Sequence, residues 1–348
     1  MNKTKYRIII TFVSAILLLI VLFALNLMLG SINIPMSDIY SILSGNGSSS
    51  IIYENIVLKT RLPQTIVALG AGMSLGVAGL LMQTLFRNPL AGPSVLGISS
   101  GSSLGVAFVM LFTGQILGFS FTSIGWLGDL AEVTASLAGA IGVLAIILVI
   151  SNKMGGTLGV LIIGVMIGYL ASSLVSLLKY YSPEEDVHNY VIWGLGSFNR
   201  LAETKAWMFG IITTLLSLVS IFLTKSLNLM ALGDRYATNL GLRIKRSRFM
   251  VIGWAGLLTA IVTAFCGPII FIGVAVPHLA KLISRTSNHL YLILNTCIIG
   301  SATALLCNLI ARLPGIENEL PINSVTAFIG APVVIWVIWK KHTNTRFE

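Results

Sequence analysis

A chain of 348 residues with 55% hydrophobic and only 10% charged side chains has too little charge to cover a water-soluble globule of its size. Its net charge of +10 comes from cations scattered as helix flanks rather than gathered on a phosphate-binding face, which argues against a nucleic-acid partner. The chain reads as an all-α, polytopic membrane protein.

A helix needs about 20 apolar residues to cross a hydrocarbon core of about 30 Å, so charge-free runs count the spans. The first run follows Lys3, Lys5 and Arg7 and extends from Ile8 to Leu29. It is longer than the apolar core of about 7–15 residues in a secretory signal and has no A-x-A-like site after it, so it reads as an uncleaved span. Nine more follow: 62–86, 95–112, 133–152, 157–178, 206–224, 249–267, 269–283, 290–311 and 320–339. Together with 8–29 they make one transmembrane domain over 1–348, interrupted by a polar loop at 229–248.

With ten crossings, sixteen of the 22 Lys and Arg residues, but only two of the twelve acids, fall on the side of the N-terminus. Cationic excess in short loops marks the cytoplasmic face, so both termini are expected there. The segments 31–60, 113–132, 179–205 and 312–319 are expected as outer loops, none long enough for a soluble domain. Glycines recur four apart within spans, at Gly72/Gly76, Gly97/Gly101/Gly105 and Gly164/Gly168. Small residues at that spacing let helix backbones approach closely, so a tight bundle is expected.

The longest polar interruption, Leu229–Arg248, carries Arg235, Arg243, Lys245, Arg246 and Arg248 against one acid, Asp234. Asp234 is placed to cap a short helix running to Asn239, and Gly241 suits its C-terminal turn. A short helix held outside the bilayer is shaped to seat in another protein.

Several chemistries are missing. No G-x-x-x-x-G-K-[ST] loop occurs, so ATP is not bound in that way. Gly70, Gly72 and Gly76 lie within a span and read as packing, not as a dinucleotide fingerprint. The histidines His188, His278, His289 and His342 have no metal-pair spacing, and Cys266, Cys297 and Cys307 lie in apolar runs, which suggests neither a disulfide nor a metal site. Ion-coupled carriers need charged groups at span centres, and here those centres are nearly empty, which disfavours a secondary transporter, the alternative from another class. The same poverty of His, Asp, Glu and Ser/Lys constellations disfavours an intramembrane enzyme.

Arg61–Gly105 reads RLPQTIVALGAGMSLGVAGLLMQTLFRNPLAGPSVLGISSGSSLG, with Asn88-Pro89-Leu90-Ala91, Pro93 and Leu96-Gly97 as its core. Further stretches follow in order: Trp193 to Gly196-Ser197-Phe198, Ala231-Leu232-Gly233 to Leu240-Gly241, Gly267-Pro268-Ile269 to Val276-Pro277-His278, and Glu319-Leu320-Pro321 to Gly330-Ala331-Pro332. From Arg61 to Lys341 the chain resembles the FecCD family of ABC-transporter permeases, the importer subunits for vitamin B12, haem and ferric siderophores.

That resemblance implies a type II ABC importer permease bundle in the cytoplasmic (inner) membrane. Its partners would be a second permease copy, as a homodimer or a heterodimer, two copies of an ABC ATPase subunit and an extracytoplasmic substrate-binding protein, with membrane lipid around them. This chain would be a transport subunit and no enzyme. It would bind no cofactor itself, ATP and Mg being held by the ATPase. The expected cargo is a ferric siderophore, with cobalamin or haem as the alternative. The resemblance further assigns Leu232, Gly233, Asp234, Ala237, Leu240 and Gly241 to ATPase coupling. It assigns Arg61 and Arg312 to docking of the binding protein, and Lys59 joins them as a cation at the same span end; snorkelling at the interface is the competing reading for all three. Gly155, Gly156, Thr157, Gly164 and Gly168 would form the path and its gate, although packing alone could account for the glycines. Two departures remove charge from the family's pattern: Gln64 stands where an Arg is common and Asn308 where an Asp is common.

Overall fold

Backbone amides and carbonyls inside a bilayer must pair within their own segment. The computed structural model describes residues 3–30, 32–45, 47, 50–112, 125–154, 156–313 and 319–344, and among these it meets that demand with helices alone. They are α1 (Lys3–Met28), α2 (Met36–Leu43), α3 (Ile51–Ile56), α4 (Leu62–Phe86), α5 (Ile98–Ala107), α6 (Trp126–Lys153), α7 (Thr157–Tyr181) and α8 (Glu184–Gly194) in the first part of the chain. There follow α9 (Glu203–Val219), α10 (Thr224–Ala231), α11 (Asp234–Asn239), α12 (Ile244–Cys266), α13 (Ile272–Ser284), α14 (His289–Ala311) and α15 (Ile322–Asn344). By length and composition seven helices can cross a membrane, and three shorter apolar ones, Ile98–Phe112, Ile272–Ser284 and Ile322–Trp336, complete the ten.

The departures from the expected spans have local causes. The run 95–112 is not one helix: a 3-10 turn, Pro93–Leu96, ends at Gly97, whose φ of 75° is left-handed, and α5 starts anew from there. Helix also extends into segments expected as loops. Ser50 accepts the Ile52 amide at 3.3 Å and starts α3, which continues through a π-helical stretch, Val57–Arg61, into α4. Likewise α8 begins after Pro183 with Glu184, Glu185 and Asp186 in its first turn, where acids suit the positive end of the helix dipole. Most of the expected outer loop 113–132 lies outside the described residues.

The chain divides into two compact units. One comprises Met1–Val77, Ser197–Ile221 and Phe271–Glu348. Here Gly72 on α4 and Gly300 on α14 stand backbone to backbone; a Cβ at either would strike the other's carbonyl oxygen. Water is absent as a driving force between helices in lipid, so such close van der Waals contact and buried polar pairs hold the bundle. One pair is Asn26 with Asn308: Asn26 donates to the Leu305 carbonyl at 3.0 Å and accepts from Asn308 Nδ2 at 2.8 Å. The departure to Asn at position 308 thus makes a neutral clip between α1 and α14. Leu27, Ile34, Ile39, Ile42, Val57 and Leu62 gather into an apolar cluster beneath α2 and α3.

The other unit comprises Ala78–Gly196 and Phe222–Ile270. In it α5 lies against α6 through Gly101, Gly105 and Gly139, where an added Cβ would again meet backbone. Val106, Met110, Leu111, Val175, Tyr190 and Trp193 form a core cluster joining α5, α7 and α8.

Candidate functional site

The loop at 229–248 folds tightly. Leu232 ends α10, and Gly233 turns the chain at φ 118°, a backbone angle that L side chains rarely adopt. The six residues of α11 follow, and at their end Gly241 (φ 83°) donates to the Thr238 carbonyl at 2.9 Å while Leu242 donates to that of Ala237, also at 2.9 Å. Those two bonds are a Schellman motif, which satisfies carbonyls that a helix end leaves open. Ala237 is fully buried and anchors the inner face of α11. On the outer side Leu232, Tyr236 and Leu240 stand 61%, 70% and 61% exposed. A short helix that, with the residues flanking it, shows three large apolar side chains has the features of a docking element.

Asp234 does not cap this helix, contrary to expectation: it is the first helical residue and its side chain makes no capping bond. Its carboxylate is drawn sideways by two arginines. Arg87 donates to Oδ1 at 2.6 Å and to the Met230 carbonyl at 3.0 Å, and Arg248 Nη2 lies 3.6 Å from Oδ2. Arg248 is 3% exposed and also donates to the Met154 carbonyl at 3.4 Å. One carboxylate therefore ties α11 to the end of α4, to the start of α12 and, through Arg248, to the chain just before α7. An exposed ion pair is worth about 0–1 kcal/mol. The Arg248 contact is longer, at 3.6 Å, and Arg248 keeps the Met154 carbonyl as a second partner. Neither Arg87 nor Arg248 was among the coupling residues expected from sequence. The available signal was Arg87 directly before Asn88-Pro89, together with a lone acid among five cations.

A second group of predicted residues sits in the other unit. Lys59 is exposed. Arg61 is not: its guanidinium is 2% exposed and donates to the carbonyls of Leu27 at 2.7 Å, Met28 at 2.8 Å and Ile32. The turn after α1 leaves those carbonyls without helical partners, and the planar fork of an arginine can serve several at once. Arg312 is 10% exposed, with Nε 3.9 Å from Glu319 Oε1. Burial lowers its pKa from the usual arginine range, and Glu319 works against that shift. Glu319 is 41% exposed and also accepts from Gln64 Nε2 at 3.3 Å and Asn199 Nδ2 at 3.5 Å. Gln64, the neutral departure from the family's pattern, is thus a hydrogen-bond donor to this carboxylate.

Of the expected gate residues, Gly155 lies outside the described residues. Gly156 is exposed with open space around its Cα, and Thr157 begins α7. Gly164 and Gly168 are taken up by packing. A Cβ on Gly164 would lie 2.8 Å from Leu96 Cα, and one on Gly168 would lie 3.4 Å from Ser100 Oγ and 3.7 Å from Gly97 Cα. They let α7 close onto the Pro93–Gly97 turn.

Comparison with known proteins agrees with this architecture. The pattern of the FecCD transport family matches residues 18–340. A vitamin B12 import system permease protein, BtuC, of Salmonella arizonae is 33% identical over 290 residues, 82% of this chain and 84% of that protein. Its namesake in Escherichia coli K12 is 32% identical over 293 residues, with the same shares covered. A solved structure described as an inward-facing metal-chelate type ABC transporter superposes with a TM-score of 0.81 at 30% identity, covering 94% of this chain and 98% of that one. PsaBC from Streptococcus pneumoniae is alike in fold alone, with a TM-score of 0.51 at 13% identity.

Proposed function

Because the chain belongs to the FecCD transport family and is a permease of the ABC importer class, we propose that it carries a ferric siderophore across the cytoplasmic membrane, driven by ATP hydrolysed on a separate subunit. The observation that carries the coupling half of this reading is α11. The exposed Tyr236 on it, with Leu232 and Leu240 flanking it, is held by a helix that Arg87 and Arg248 brace through Asp234, so a push from an ATPase is transmitted to α4 and α12 instead of being lost in a loose loop.

Two permease copies face each other in this reading, each seated on one ATPase, with ATP and Mg held there. The positive-inside distribution supports a cytoplasmic position for both termini and the 229–248 loop. At the opposite face Lys59, Arg312 and Glu319 meet the binding protein, and Arg61 positions the turn beside them. The similarity to a metal-chelate type transporter supports a metal-chelate cargo. The vitamin B12 permeases among the relatives favour a second reading, cobalamin.

The test is reconstitution of the chain with its candidate ATPase and binding protein in proteoliposomes. Stimulated ATP hydrolysis with uptake of a labelled ferric siderophore is expected. Uptake of cobalamin alone would replace the cargo, and failure to form any ATPase complex would remove the importer reading.

A further inference from the structure

A recess of about 380 Å³ lies within the unit that holds α5, α7 and α8. It is many times the ~15 Å³ of such volume that one water needs and falls in the size range of ligand pockets, roughly 300–1,000 Å³. It opens just beyond the glycine contact. Gly168, Ser172, Ser176 and Lys179 follow one another at i, i+4, i+8 and i+11 along one face of α7, and the last three line the recess beyond the contact of Gly168 with Ser100. From the other side α5 contributes Ser99, Ser100 and Ser103, and the turn before it Ser94.

Two features say what such a recess holds. Ser176 is satisfied by the Ser172 carbonyl at 3.0 Å, but among the described residues no protein group pairs with the hydroxyls of Ser94, Ser99, Ser100, Ser103 or Ser172. Hydrocarbon cannot satisfy hydroxyls, so they need water or a polar ligand. The charge is also one-sided. Lys179 lines the recess and no carboxylate does. Its Nζ is held 4.7 Å from the centre of the Tyr190 ring, and the Tyr190 hydroxyl donates to the Ser103 carbonyl at 3.2 Å. Burial pushes the Tyr190 phenol up to about 12, so the ring stays neutral beneath the ammonium. The cation is therefore steered by a ring face and left without a counter-ion in the wall of the recess.

We propose that this recess is a binding site within the permease for the anionic oxygen face of a carboxylate-bearing metal chelate, with Lys179 meeting the charge and the serine hydroxyls of α5 and α7 meeting the oxygens. It rests on the importer reading above and deepens it, because it gives the permease a preference of its own. A carboxylate chelate is retained at Lys179, whereas a neutral chelate or cobalamin is not.

The experiment uses the assembled permease and ATPase in lipid nanodiscs, with iron-labelled ferric citrate as probe in equilibrium dialysis and a neutral ferric trihydroxamate and cobalamin as comparison arms. Saturable retention of ferric citrate is expected. Lys179→Gln should weaken it about tenfold or more, since a charge-assisted bond is lost, and Lys179→Arg should keep it within about threefold. Ser172→Ala combined with Ser176→Ala should weaken it severalfold without changing expression. Equal retention by the parent and Lys179→Gln would overturn the site, as would retention of the neutral arms only. ATP hydrolysis in the same discs separates the two readings: coupled hydrolysis with no Lys179 effect sinks the recess alone, whereas no assembly at all sinks the importer reading and the recess with it.

Discussion

Arg61 and Arg248 are almost equally buried, at 2% and 3% exposure, yet they are neutralised in different ways. Arg61 spends its guanidinium on backbone carbonyls of one turn, at Leu27, Met28 and Ile32. Arg248 faces a carboxylate, Asp234, that is itself 49% exposed and shared with Arg87. A carbonyl cage has no other state at hand: its partners are fixed in the chain, and the arginine can only hold them. An exposed carboxylate shared by two cations is a joint, because a docking partner can shift the sharing without unfolding anything. The first arrangement suits a structural end, the second an end that must transmit movement.

The largest effect expected from this contrast is at Arg61. Arg61→Ala removes charged donors from three carbonyls and should cost about 3 kcal/mol or more, seen as a lower thermal midpoint and less chain in the membrane fraction. Normal yield and midpoint would refute the cage as a structural element. Next in size is Asp234→Ala, which should leave insertion and assembly intact while uptake per ATP hydrolysed falls about tenfold. Asp234→Glu should recover part of that loss. If Asp234→Ala instead reduced membrane insertion as strongly as Arg61→Ala, the two arginines would be alike and the loop merely structural. Leu240→Ala, on the exposed face of α11, should weaken association with the ATPase about fivefold to tenfold, as loss of an interface anchor does, with no change in thermal midpoint. The smallest effect belongs to Arg312→Glu. Binding-protein docking should weaken by a few-fold at low salt and less at high salt, since the carboxylate that Arg312 faces, Glu319, is 41% exposed and charge near water is screened. A salt-independent loss would point to collapse of the Glu319 network instead.

How much of this was legible beforehand depends on the range of the interaction. Gly241 was readable as a helix-ending turn because a Schellman motif is closed by residues within five positions. The role of Asp234 was not, since its strongest partner, Arg87, is 147 residues away. A local rule, helix capping, therefore stood in for a long-range pair. The burial of Arg61 was not legible for the same reason: an arginine at a span end looks exposed until the turn after α1 folds over it. Gly164 and Gly168 were legible as close-packing positions and the Asn88–Gly97 motif as a turn, but that the one packs on the other was not, because a long stretch of chain separates them.

The ordered Asn88–Gly97 and Ala231–Gly241 motifs carried the resemblance to a permease family, while apolar run length and cation bias determined by themselves that this is an all-helical membrane protein and where its polar loop lies. Those properties follow from transfer free energy and from spacing along the chain, which need no folded partner. Which arginine is caged, which is shared and which serines are left to face a recess was decided only in the tertiary structure. Burial and pairing are properties of surfaces brought together from distant parts of the chain, and in lipid a polar group's fate depends on whether a partner arrives there.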